Sequence, residues 1–187
     1  MRIPTLIALL MVQAVTAFSQ TLQWDQATAL ARPEDQLVNS VVTRLILSRE
    51  VAWSKFCTHA KVRDLAREAK VLSELKEAGR AIGLSPEEVS FFFKPQIVAS
   101  CRYQEELIAG WANGQPCPGS PPKDLAGEIR PLLDKVDQTL LQQWKAISSK
   151  SFDRVDFYTA VQMIQERGIP ADVAKIAARP LVPSSGR

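Results

Sequence analysis

Apolar residues recur at helical spacing along almost the whole chain, and no run of alternating β-branched residues bounded by turn residues interrupts them. A first helix is predicted from about Pro33-Glu34-Asp35 to Phe56, with Leu37, Val41, Leu45, Val51 and Ala52 on its core-facing stripe. Strong helix formers over 66–83 predict a second helix that stops at Gly83. Ser85-Pro86-Glu87-Glu88 then combines a capping box with proline in the first turn, the clearest helix start in the chain. Pro95 lacks an N–H and clashes one turn back, which predicts a break there and a new helix from about Gln96. A Gly- and Pro-dense loop follows at 113–123. Beyond it Leu132, Leu133, Val136, Leu140 and Leu141 mark another helix, and two shorter ones are expected over 152–168 and 170–179. The tail from Pro180 reads as frayed. The fold class is therefore all-α, a single-domain bundle of about six helices with a core over 35–148, C-terminal helices over 152–180 and no internal repeat.

The N-terminus departs from this pattern. One positive charge at Arg2 precedes a mostly apolar run from Ile3 to Ala17, shorter than the roughly 20 residues of a membrane span. Small residues at Ala17 and Ser19 suit cleavage before Gln20, so residues 1–19 read as a signal peptide and 20–187 as the mature domain, secreted or periplasmic. No later stretch is apolar enough to span a membrane. A net charge of +3, with acids and bases interleaved, argues against a nucleic-acid partner, which calls for a clustered basic face. Three cysteines are too few for a disulfide scaffold. Whether Cys101 and Cys117 pair, leaving Cys57 free, is not decided by their spacing. Cys57-Thr58-His59 has no second ligand pair, so no metal site is expected.

The informative residues are the polar ones among core positions, because a buried charge costs several kcal/mol unless something pairs it. Arg44 lies between Val41, Val42, Leu45 and Ile46, and Lys55 follows almost three whole turns later, on the same helix edge and roughly 16 Å away. Asp64, Arg67, Glu68 and Val71 stand at i, i+3, i+4 and i+7, one face of a helix. Ser100 and Gln104 form a further polar row, and Arg130 opens the helix after the loop. Taken singly, each cation reads as a surface residue and Ser100 as a helix serine bonded to its own backbone.

Taken in order, these residues resemble the all-helical chorismate mutases, in particular their secreted gamma subclass. The resemblance covers about Leu37 to Ile147. It rests on Arg44-Leu45, Lys55-Phe56, Asp64-x-x-Arg67-Glu68, Gln96-Ile97, Ser100-x-x-x-Gln104, and Arg130 after a Pro-rich loop. It implies an isomerase of aromatic amino acid biosynthesis that rearranges chorismate to prephenate without a cofactor, in a homodimer with each site inside one chain. It also implies roles. Arg44, Arg67 and Arg130, helped by Ser100, would bind the substrate's two carboxylates. Lys55 and Gln104 would contact the ether oxygen, and Asp64 with Glu68 the ring hydroxyl or the backbone around it. Val71 stands where some members carry glutamine, Ser100 where many carry threonine, and no cysteine follows Cys117 to close the C-terminal region, which leaves the last helices less secure. The competing reading is a secreted helical binding protein that kept the fold and lost catalysis. Joint retention of Lys55, Arg67 and Gln104 favours catalysis.

Overall fold

The computed structural model describes residues 32–148 and 156–181. The segment expected to be a signal peptide, with its expected cleavage point, lies outside the described residues, as do 149–155 and 182–187. Among the described residues six α-helices follow one another: α1 (Pro33–Thr58), α2 (Leu65–Ala81), α3 (Pro86–Ala112), α4 (Arg130–Ser148), α5 (Phe157–Gln165) and α6 (Ala171–Ala178). Among the described residues there is no strand.

The long helices form because each carries an apolar stripe that the others cover. α1 packs against α3 and α4, and α2 lies across the same two. Leu37, Val38, Val41, Val42 and Leu45 of α1 meet Phe92, Phe93 and Ala99 of α3 and Leu140 and Leu141 of α4 in one core. α2 ends at Ala81 with Ile82 as its C-cap, after which Gly83 takes φ +78°, a conformation glycine adopts without strain. Ser85 caps α3 in the expected box: its hydroxyl accepts from Glu88 N, and Glu88 reaches back to Ser85 N at 2.7 Å.

The break expected at Pro95 does not occur, and α3 runs through it. Proline removes one bond, to the carbonyl of Phe91, a residue on the exposed side of the helix. Phe92, Phe93, Gln96 and Ala99 on the other side are fully buried, and their packing carries the helix past the defect. Leu132 is also not a core residue. It is exposed, and the buried stripe of α4 is Asp137, Leu140, Leu141 and Ile147.

The C-terminal helices need no disulfide. Ala160, Ile164, Val173, Ala174, Ala177 and Ala178 are fully buried in the common core, and α6 packs along α3. Gln96, itself buried, donates to the carbonyl of Ala177 at 2.8 Å. The chain continues in a 3-10 turn (Arg179–Leu181) whose Pro180 and Leu181 are buried, so the tail is packed at least that far. All three cysteines are free thiols, with Cys101 buried and Cys57 and Cys117 exposed.

One close approach sets the distance between α2 and α3. A Cβ at Gly79 would stand 2.5 Å from Cγ2 of Val89, a buried side chain that is stiff about χ1. Gly79→Ala is expected to lower stability by about 1–3 kcal/mol, read as a lower urea midpoint with unchanged slope.

Candidate functional site

Between α1, α2, α3 and α4 lies a cavity of about 630 Å³, within the usual size of a small-molecule site. Arg44, Lys55, Asp64, Arg67, Glu68, Val71, Ser100, Gln104 and Arg130 all line it. Six cations and four carboxylates face it, an excess of two positive charges.

Arg44 is 6% exposed and its charge is matched. Nε donates to Asp137 Oδ1 at 2.7 Å, and Nη1 donates to the carbonyl of Gln96 at 3.0 Å and to Ser100 Oγ. Those bonds occupy Nε and Nη1, so Nη2 is the end left for a ligand. Ser100 thus does not fold back on its own helix but accepts from Arg44. Ser48, one turn after Arg44, donates to the carbonyl of Arg44 and lies 3.0 Å from Ser100 Oγ. Neither Asp137 nor Ser48 was a candidate in the sequence. The available signal was an acid amid Val136, Leu140 and Leu141, and a serine four residues after a buried arginine.

Lys55 Nζ donates to the carbonyl of Val62 at 2.6 Å and to Gln104 Oε1 at 3.0 Å. Burial pushes its ammonium below the ordinary lysine range, and Arg130 adds to that effect, while Cys101, Asp64 and Glu68 pull the other way. With Gln104 Oε1 taken by the ammonium, its Nε2 is the end that remains to donate.

The acid, guanidinium and acid at the start of α2 have distinct tasks. Asp64 is the N-cap, accepting from Arg67 N at 3.0 Å. Arg67 Nη2 reaches Asp134 of α4 at 3.2 Å. Glu68 is held by both arms of Arg63, Nε to Oε1 at 2.8 Å and Nη2 to Oε2 at 2.9 Å. Arg63 and Asp134 both line the cavity and were also not candidates in the sequence. Cys101 Sγ lies 3.7 Å from Glu68 Oε1, and burial first, then that carboxylate, pushes the thiol up. Val71 supplies an apolar contact to the core.

Arg130 is placed by the segment before it. Asp124 accepts from Ala126 N at 3.1 Å and Gly127 N at 2.7 Å, which starts a π-helical turn (Leu125–Ile129) that delivers Arg130 to the head of α4. The Pro-rich loop is pinned against α1, where Trp53 Nε1 donates to the carbonyl of Ser120 at 2.9 Å and Lys123 pairs with Glu50 at 3.1 Å.

Such a site, with fixed cations at several points and the neutral polar groups of Ser48, Ser100 and Gln104 between them, suits a small dicarboxylate held at both ends. Comparison with known proteins agrees. Residues 29–105 match the family described as chorismate mutase type II. Three solved structures share the fold. Chorismate mutase from Burkholderia thailandensis is 26% identical, with a TM-score of 0.71 over 81% of this chain and 100% of that one. The enzyme from Burkholderia phymatum is 27% identical, with a TM-score of 0.70 over 79% and 94%. A secreted chorismate mutase from Yersinia pestis, 22% identical, has a TM-score of 0.71 over 78% and 94%.

Proposed function

We propose, from the match of residues 29–105 to chorismate mutase type II and the likeness to solved chorismate mutases, that this chain is an all-helical chorismate mutase whose cavity holds chorismate and rearranges it to prephenate by the residues gathered there. The observation that supports this best is the single cavity in which four separate cations, Arg44, Lys55, Arg67 and Arg130, and the amide of Gln104 converge. Chorismate is a dianion, and an excess of two positive charges complements it.

The reaction is a pericyclic [3,3] shift: one C–O bond breaks, one C–C bond forms, and no proton moves. The protein needs neither nucleophile nor base. It must hold the enolpyruvyl arm over the ring and meet the charge that grows on the ether oxygen. Arg44 through Nη2, Arg67, Arg130 and the Ser100 hydroxyl bind the two carboxylates. Lys55 and Gln104 Nε2 face the ether oxygen, each already oriented by the bond between them. Glu68 accepts the ring hydroxyl, and Asp64 acts through the helix start that it caps. Arg67 gives up or shares Asp134 when a carboxylate arrives.

We further propose export, from the charged and apolar N-terminus and small residues before Gln20. Intact mass of protein recovered outside the cytoplasm should fit a chain starting at or near Gln20. A product retaining Met1 would overturn this. For the activity, loss of the ultraviolet absorbance of chorismate is followed with purified mature protein, and prephenate is identified by NMR. Turnover is expected. A folded protein that leaves chorismate at its uncatalysed rate would be a binding protein on an enzyme's fold.

A further inference from the structure

Arg63 has no part in the assignments above, yet it lies on the cavity wall, in the irregular segment between α1 and α2. Its fork grips both oxygens of Glu68. The residue before it, Val62, lends its carbonyl to Lys55 Nζ, and the same Nζ holds Gln104. Arg63 and Val62 are consecutive, so a side chain that fixes the first restrains the peptide of the second. Glu68 is itself braced from behind by Cys101 of α3. One connected path therefore runs from Glu68 through Arg63 and the Val62 carbonyl to Lys55 and Gln104. We propose that Arg63 is a positioning residue that holds the 60–63 segment against α2 and so fixes the Lys55 ammonium and the Gln104 amide at the reacting oxygen.

The bland alternative is an exposed ion pair of little consequence, since half of the Arg63 side chain is exposed. Three features oppose it. The contact is bidentate, which fixes direction as well as distance. Its partner Glu68 is only 20% exposed. The Val62 carbonyl accepts from Lys55 at 2.6 Å, so movement of that peptide alters the ammonium's surroundings directly.

The effect on rate rests on the reading of Lys55 given above, whereas the effect on Lys55 itself does not. The test therefore has two measurements on folded Arg63→Ala and Arg63→Lys proteins. The first is titration of the Lys55 side chain by NMR without substrate. In the parent it should titrate below the ordinary lysine value of 10.5, because it is buried. Cys101 and Gln104 on α3, Asp64 and Glu68 at the start of α2, and Arg130 on α4 face it and stay in both variants. Freeing the segment admits water to the ammonium, so the midpoint should rise in both. Lysine keeps the charge at position 63 but loses the fork, which separates placement from simple electrostatics. The second measurement is kinetic: kcat should fall about tenfold in Arg63→Ala and by less in Arg63→Lys, with KM moved far less than kcat.

A Lys55 titration that stays put in both variants, or moves only in Arg63→Ala, overturns the proposal. So does a kcat loss with an unmoved titration, which would mean that Arg63 acts on substrate directly. A titration that moves in both while kcat stays constant upholds the path to Lys55 and overturns instead the placing of Lys55 at the breaking bond.

Discussion

Lys55→Ala and Arg67→Ala are each expected to lower kcat/KM at least about a hundredfold, with circular dichroism unchanged. A half charge growing about 3 Å from the Lys55 ammonium, at an effective dielectric near 20, is worth roughly 3 kcal/mol, and about 1.4 kcal/mol is a factor of ten in rate. Gln104 adds about 1 kcal/mol on ordinary hydrogen-bond magnitudes, and positioning supplies the rest of the roughly 8 kcal/mol at the low end of enzymatic acceleration. Arg67 offers a carboxylate a charge-assisted pair, worth up to about 3 kcal/mol where partly desolvated, and its removal should raise KM as well as lower kcat. Neither change opens the main core, since Lys55 and Arg67 face the cavity and their protein partners are a carbonyl, an amide and an exposed carboxylate. Kinetics within about threefold of the parent in both variants would show that the reaction takes place elsewhere.

Lys55 is also expected to set an alkaline limit. On the proposed reading its ammonium is the active form, and burial lowers its pKa in the folded chain. The kcat/KM of the parent should therefore decline below pH 10.5, and the decline should vanish from the residual activity of Lys55→Ala. Loss of fold at this group does not explain that decline. Between its folded-state pKa and 10.5 the unfolded chain binds the proton more readily, so this lysine's contribution to stability rises with pH across that window.

The parts of this molecule legible in the sequence are those set by local spacing. A helix fixes which side chains share a face, so Arg44 with Lys55, Asp64 with Arg67 and Glu68, and Ser100 with Gln104 were readable as rows. The capping box at Ser85 was readable because it lies within four residues. Spacing does not say what stands opposite. Asp137 lies 93 residues from Arg44, and nothing local distinguishes it from Asp134 one turn before. Arg63 escaped for another reason: it precedes the first residue of α2 by two, so helical offsets do not describe its reach to Glu68. The continuous α3 was misread because a local rule about proline met a core able to override it, with Phe92, Phe93 and Gln96 buried around the defect.

Gln104→Glu is expected to convert a site indifferent to mild acid into one that prefers it. In the parent, the amide needs no proton to donate, so Gln104 should contribute no activity change between about pH 5 and 8. Its Oε1 is occupied by Lys55 at 3.0 Å, which turns Nε2 towards the ligand. A carboxylate there presents an acceptor where a donor is required, repels the ether oxygen as it gains charge, and draws on the Lys55 ammonium for itself. Only the protonated acid restores the hydrogen bond. A free glutamate titrates at about 4.3, burial raises that value, and the adjacent ammonium lowers it. Whatever the balance, each pH unit above the resulting pKa removes about tenfold of the competent form, so kcat/KM of the variant should fall steadily towards pH 8. Residue 104 is only 6% exposed, so solvent cannot supply the missing donor. The measurement is the pH profile of kcat/KM for variant and parent side by side. Two parallel, flat profiles would place Gln104 away from the breaking bond and leave Lys55 as the group that meets the ether oxygen.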